Sequence, residues 1–294
     1  MMYIGEICAF ACAIAWAFAV ILFKKSGEKV HPVALNLFKN TFAFILIIPT
    51  LYIFGETLYL PVPAEDYLLL IISGAIGIGI ADTLLFFALN RLGAGLNAIV
   101  ACSYSPSMVI LSMIFLDERL KLLQLFGIAL ILSAILFATK PKKDSKITKR
   151  DIIVGFILGI AANILMAVGI VMIKPLLNRS PLLWATEFRI IGGILFLVLF
   201  MAFYPARGKI IKSLIKTHSW GYTISSSFIG AYVAMLLWFA GMKYTKLSIA
   251  SALNQTSNIF VFIFAALLLH EKLTLRRVIA MIAAIGGVLF VVLG

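Results

Sequence analysis

The sequence predicts an all-α polytopic membrane protein, with ten transmembrane helices arranged as two inverted five-helix repeats, and three observations predict it. The chain is 63% hydrophobic and only 13% charged, with a mean hydropathy of +1.11, against about 45–50% apolar and 25% charged in soluble domains. Apolar blocks of about 17 to 24 residues recur throughout, close to the ~20 residues that a helix needs to cross hydrocarbon. Polar landmarks of the first half return in the second at a nearly constant offset. The blocks leave room for no sizeable soluble domain, which excludes an active site built on large aqueous loops.

Taking apolar runs bounded by charges, Pro or Gly, the first half is expected to cross at about residues 3–23, 33–54, 67–89, 95–116 and 121–138. The second half follows at about 151–173, 182–203, 219–241, 247–269 and 274–293. The start, Met1 to Glu6, lacks the positive region of a secretory signal, so the first block reads as a retained helix. Lys140 to Arg150 is the one clearly solvated stretch. It divides the chain into a repeat at 1–139, a basic linker at 140–150 and a second repeat at 151–294.

A shift of 153 residues lays Glu118 on Glu271, Leu120 on Leu273, Gly77 on Gly230, Phe86 on Phe239 and Phe137 on Phe290. A shift of 150 pairs Lys24 with Lys174 and Phe38-Lys39 with Phe188-Arg189, a slip that one loop insertion would cause. Chance matching between Leu-rich segments is the alternative, and the polar pairs at equivalent places weigh against it. Five spans per half is an odd number, so the second half must enter from the opposite side, as in many secondary transporters.

The net charge of +13, from 25 Lys+Arg against 12 Asp+Glu, would suggest nucleic acid if it formed a patch on an aqueous face. It lies instead between hydrophobic blocks, so no nucleic-acid partner is expected. About 17 basic residues follow odd-numbered spans and about six follow even-numbered ones, which by the positive-inside rule puts the linker 140–150 in the cytoplasm and both termini outside. The expected location is the plasma or inner membrane. Cys8, Cys12 and Cys102 all fall in apolar segments and form no disulfide framework.

Ionisable groups inside spans cost at least a few kcal/mol by insertion scales and are the best pointers to function. Lys39, Asp82 and Arg189 stand out. Lys39 and Asp82 each lie about 9 to 10 Å below the same membrane face at 1.5 Å per residue, so an ion pair fits. Arg189 is the repeat mate of Lys39. Snorkelling to the headgroups is the alternative for both basic residues. Asp82 is too short to snorkel and is expected in a polar cavity as cation contact, proton site or gate partner. Glu6 and Glu187, nearer their span ends, read as interfacial.

Span 9 carries five consecutive polar residues, 254 to 258, which cannot all face lipid. Ser251, Asn254, Gln255 and Asn258 share a helical stripe and offer donors and acceptors to a polar solute, or to neighbouring helices as packing contacts. The mate in span 4 holds Cys102, Ser103, Tyr104, Ser105 and Pro106, where proline frees a carbonyl of the preceding turn. Matching interrupted segments are the sequence mark of a midplane site. Trp16, Tyr104, Tyr232 and Trp238 are candidate aromatic walls, with packing as their ordinary role, and Asn163 lies where span 6 matches Trp16. The substrate-binding set is therefore Trp16, Asp82, Tyr104, Asn163, Tyr232, Asn254, Gln255 and Asn258, with Lys39, Arg189 and Asp82 as gating or ion-pair groups.

Gly155 and Gly159, and Gly74, Gly77 and Gly79, suit close helix approach better than phosphate binding. His270-Glu271 begins a zinc-protease motif, but Thr274 stands where the second histidine belongs. No metal cluster, Walker-type loop or convergent catalytic set is legible, so neither enzyme activity nor a cofactor is expected.

The five-plus-five pattern, the Phe-basic pairs Phe38-Lys39 and Phe188-Arg189, and the loop glutamates in Glu118-x-Leu120 and Glu271-x-Leu273 resemble the EamA family of the drug/metabolite transporter superfamily along the whole chain. The resemblance implies a basket-like fold with a central cavity lined by spans 1, 3, 4, 6, 8 and 9. It also implies alternating-access movement of small metabolites, often outward, such as amino acids or toxic compounds, by a monomer or homodimer without a cofactor. Family members commonly keep both termini cytoplasmic, which this chain's charge pattern opposes. The readings from other classes are a non-transporting membrane subunit and an intramembrane enzyme acting on lipid.

Overall fold

The computed structural model describes residues 3–116, 121–138, 148–244, 253–272 and 274–293. Glu118, Ser251 and most of the linker lie outside them. The described residues are all helical or loop, with no strand among them. Six helices are long and apolar enough to cross a membrane: Ile4–Gly27, Pro32–Ile53, Ala64–Ala101, Lys149–Val171, Leu182–Phe203 and Trp220–Trp238. Leu122–Ala138 and Leu253–Leu268 are shorter apolar helices. The protein is a polytopic helical membrane protein.

Helix α1 (Ile4–Gly27) has Glu6 in its first turn and Lys24 and Lys25 in its last, each complementing the helix dipole. Its small residues Ala9, Ala13 and Ala17 are buried while Ile7, Phe10, Ile14 and Phe18 are exposed, as expected where the outer face meets lipid rather than water. Helix α2 (Pro32–Ile53) starts with proline, whose missing donor costs nothing at a first turn. His31 caps it, its Nδ1 accepting from the Val33 N–H at 3.3 Å. That role requires a neutral imidazole, and partial burial of this loop residue lowers its pKa from the usual value.

Helix α3 (Ala64–Gly74) runs through a π-helical segment, Ala75–Ile80, into α4 (Ala81–Ala101). Gly93, with φ of 77°, breaks α4, a conformation that glycine adopts without penalty. Next come α5 (Tyr104–Leu116), α6 (Leu122–Ala138) and α7 (Lys149–Val171), the last capped by Thr148, whose Oγ1 accepts from Asp151 N at 3.1 Å. Then follow α8 (Lys174–Arg179), α9 (Leu182–Phe203) and α10 (Arg207–Ile215). The loop expected after span 7 thus contains a helix, tied to the α1–α2 turn by the bond from His31 N to Ser213 Oγ at 3.0 Å.

Helix α11 (Trp220–Ser226) continues through a second π-helical segment, Ser227–Val233, into α12 (Ala234–Tyr244), and α13 (Ser257–Leu268) and α14 (Leu275–Leu293) complete the chain. The two π-helical segments fall at equivalent places under the 153-residue shift. So do the interruptions at Cys102-Ser103, between α4 and α5, and at Thr256, just before α13. The irregularities repeat along with the regular helices.

Glycine sets the approach of the two halves. A Cβ on Gly74 would lie 1.8 Å from the carbonyl oxygen of Arg189, and one on Gly192 would lie 2.1 Å from that of Ile71. Helices α3 and α9 therefore meet backbone to backbone, where no side chain can yield. Gly155 and Gly159 of α7 similarly admit Leu92 and Val100 of α4.

Gly74→Ala and Gly192→Ala should each lower the apparent melting temperature of the detergent-solubilised protein, at the upper end of the usual 1–3 kcal/mol cost of overpacking or beyond. Gly208→Ala, where a Cβ meets nothing within 4 Å, should leave it unchanged.

Candidate functional site

Two polar networks occupy the helical interior, and each is anchored where a helix is irregular. The first joins α2 to the α3–α4 rod. Lys39 Nζ lies 2.7 Å from Asp82 Oδ2, with the two residues 5% and 9% exposed. The ammonium also donates to Asn40 Oδ1 at 3.1 Å and stands 5.9 Å from the Phe86 ring centre. Asn40 Nδ2 donates to Asn36 Oδ1 at 2.8 Å, and Asn36 Nδ2 reaches Ile78 O at 2.8 Å and Thr83 Oγ1 at 2.9 Å. A π-helical turn leaves carbonyls without their usual partners, and burial makes each such group costly. Asn36 supplies the missing donor, so the chain of bonds runs from the ion pair to the irregular backbone.

The second network surrounds the interruptions at Cys102-Ser103 and Thr256. Asn163 Nδ2, from α7, donates to Val100 O at 3.0 Å and to Ser103 Oγ at 2.9 Å. Gln255 Nε2 donates to Ser105 Oγ at 2.8 Å, and Asn258 Nδ2 to Gln255 Oε1 at 3.0 Å. Cys12 Sγ of α1 lies 3.2 Å from Ala234 O and 3.4 Å from Asn254 Oδ1. Asn163, Asn254, Gln255 and Asn258 of the second half thus meet Cys12, Cys102, Ser103 and Ser105 of the first. Asn254, Gln255 and Tyr104 remain half-buried.

Arg189 stands between the networks. Its Nε donates to Ser73 Oγ at 3.1 Å, while Ser73 donates to Gly169 O at 2.6 Å. Lys39 and Arg189 therefore turn inward rather than snorkel. Tyr232 is set apart, its hydroxyl 2.8 Å from Thr50 Oγ1. Trp16, half-buried, packs on the core beside Phe23 at 6.5 Å. A shallow apolar recess over Phe196, Phe200 and Tyr204 of α9 and its end contains none of these polar groups.

Sequence reasoning placed no weight on Asn36, Asn40, Ser73, Thr83 or Cys12. Asn36 and Asn40, one turn apart and flanking Lys39 in an apolar block, carried a signal that could have found them. The expectation of an interfacial Glu187 is corrected: its residue is 0% exposed, because α9 packs on α2 and α3 from its first turns.

Loop glutamate Glu271 has a structural task. Its Oε1 accepts from Ala94 N at 2.7 Å and its Oε2 from Gly95 N at 3.1 Å. These are the first donors after the break at Gly93, so the second half supplies the cap for a helix of the first. His270, at φ of 52°, makes the turn that aims it.

The model of the EamA-like transporter family matches residues 3–140 and again 153–293. The chain belongs to this family. It is therefore a membrane transporter of the drug/metabolite transporter superfamily, rather than an enzyme. An uncharacterized transporter of Archaeoglobus fulgidus is 22% identical over 284 residues, which cover 96% of this chain and 95% of that one. A protein known from its crystal structure shares the fold with a TM-score of 0.68 at 16% identity, over 97% of this chain and 95% of that one.

In this EamA-like transporter, Lys39→Met or Asp82→Leu alone should lower the apparent melting temperature, since removing one partner of a buried pair costs about 3–5 kcal/mol. The double change Lys39→Met with Asp82→Leu should recover much of the loss. Additive losses in thermal unfolding followed by tryptophan fluorescence would count against a coupled pair.

Proposed function

We propose that the protein is a secondary exporter of small polar or amphipathic metabolites, such as amino acids, with protons as the coupling ion. It works by alternating access of two inverted five-helix halves, ten spans in all, around a central cavity. The observation that carries this reading is the pair of equivalent helix interruptions with Asn163, Gln255, Asn258, Ser103 and Ser105 gathered across them. Amide and hydroxyl groups there can exchange their mutual bonds for bonds to a solute's carboxylate, ammonium or amide groups, a replacement that keeps every buried polar group paired.

In this reading Asp82, Tyr104, Asn163, Asn254, Gln255 and Asn258 contact solute, and Trp16 and Tyr232 shape the walls. The Lys39–Asp82 pair and Arg189 hold a cavity lined by acceptors and donors of both signs, which suits zwitterions. The Tyr232–Thr50 bond ties α2 to the second π-helical segment and acts as a contact that opening must break. The basic linker 140–150 is assigned to the cytoplasmic side of the plasma or inner membrane by its charge.

The test is counterflow at equal pH of a mixed panel of labelled amino acids and organic cations in proteoliposomes. Wild type should exchange at least one class. Asn254→Ala, Gln255→Ala and Asp82→Asn should each reduce that exchange about tenfold or more, the loss of 1.4 kcal/mol or more that removal of a buried polar contact produces. Full exchange in all three would remove these residues from the site, and no exchange of any panel member by wild type would overturn the proposed substrate class.

A further inference from the structure

Glu187 is a buried carboxyl of α9. The residue is 0% exposed, and neither Oε1 nor Oε2 has a hydrogen-bond partner among the described residues. The turns on either side of it on the same face of α9 show where it lies. Leu183 packs with Leu51 of α2, and Ile190 packs with Ala43 and Ile47 of α2 and with Ala231. Residues three and four apart share a helix face. Glu187 therefore lies on the face of α9 turned toward α2, where the second half of the chain meets the first.

Apart from Tyr52 of α2 and Glu65 of α3, which are exposed, the titratable groups described on the surrounding elements are engaged. Lys39 of α2 is bound to Asp82, and Glu56, after α2, accepts from Trp184 N at 2.9 Å. On α3, Asp66 pairs with Arg179 of α8, and the Tyr67 hydroxyl exchanges hydrogen bonds with the Leu60 backbone. The Tyr232 hydroxyl, from the second π-helical segment, is bound to Thr50. Arg189, two residues along α9, is directed to Ser73. The first π-helical segment, Ala75–Ile80, carries no titratable side chain.

An ionised carboxylate held out of water without a partner costs several kcal/mol, even after local relaxation. A neutral carboxylic acid avoids the charge term. The packed state of this seam therefore selects the protonated acid, and parting of α9 from α2 would hydrate the group and let it ionise. Asp82 differs, because the Lys39 ammonium already balances its charge. We infer that Glu187 is the proton-carrying group of the transport cycle, taking up a proton as the α2–α9 seam closes and releasing it when the seam opens. The inference rests on the alternating-access reading above, and it gives the coupling proton to Glu187 rather than to Asp82, for which a proton site was one of three expected roles.

The experiment separates the two. Infrared difference spectra of the full-length protein in lipid, recorded across a pH step, should contain a carboxylic C=O band. Glu187→Gln should abolish it, whereas Asp82→Asn and the conservative Glu187→Asp should keep one. A band unchanged in Glu187→Gln would overturn the proposal, with no substrate needed for the decision. In proteoliposomes loaded with the same panel, an imposed pH gradient should raise wild-type accumulation over the equal-pH value, and this enhancement should vanish in Glu187→Gln. Enhancement that persists there would also overturn it. If wild type moves no panel member, the transport reading fails while the infrared result still decides whether Glu187 binds the proton.

Discussion

Backbone groups in hydrocarbon find no water, so every interruption of a helix must be answered by a donor or acceptor from elsewhere in the protein. This constraint organises the interior. The π-helical turn at Ala75–Ile80 is answered by Asn36 of α2, and the break at Gly93 by Glu271 from the α13–α14 loop. The end of α4 at Val100 is answered by Asn163 of α7. In each case the partner arrives from another element, and twice from the other half of the chain. The irregular places thereby hold the two repeats in register as well as forming polar surface.

The same places are where the halves touch without side chains between them. Gly74 and Gly192 bring α3 and α9 to backbone contact, and Ser73, next to Gly74, bridges Arg189 to Gly169 of α7. A rigid backbone seam beside a polar network suits a carrier whose halves rock as bodies. Glu187 lies on the neighbouring face of α9, toward α2, where closure dries the carboxyl and opening wets it. Protonation and conformation are then two readings of one equilibrium.

Of the fold, the helices and their pairing into related halves were legible because membrane spans are set by composition and length alone. The interior sites were legible where a polar residue stood out against an apolar block: Asp82, Lys39, Arg189, Asn163 and the run from Asn254 to Asn258. Asn36, Asn40 and Ser73 were overlooked because a small polar residue in a span often bonds within its own helix. Glu187 was misplaced because distance along the chain from a span end does not say which face of the helix its neighbours cover. The break at Gly93 had no signal stronger than one glycine among many, and Glu271, visible as a loop glutamate, gave no hint that it reaches Ala94.

By itself the sequence determined that the chain lives in lipid, that it is built twice over, and which charged groups must be sheltered there, since hydropathy, offset and charge are properties of residues in order. The tertiary structure decided which sheltered group faces which. It paired Lys39 with Asp82, gave Arg189 to Ser73, sent Glu271 across to the other half and left the Glu187 carboxyl without a hydrogen-bond partner among the described residues. Those choices depend on the crossing of helices distant in sequence, and a few ångströms of approach, set by glycines such as Gly74 and Gly192, separate a paired charge from an isolated one.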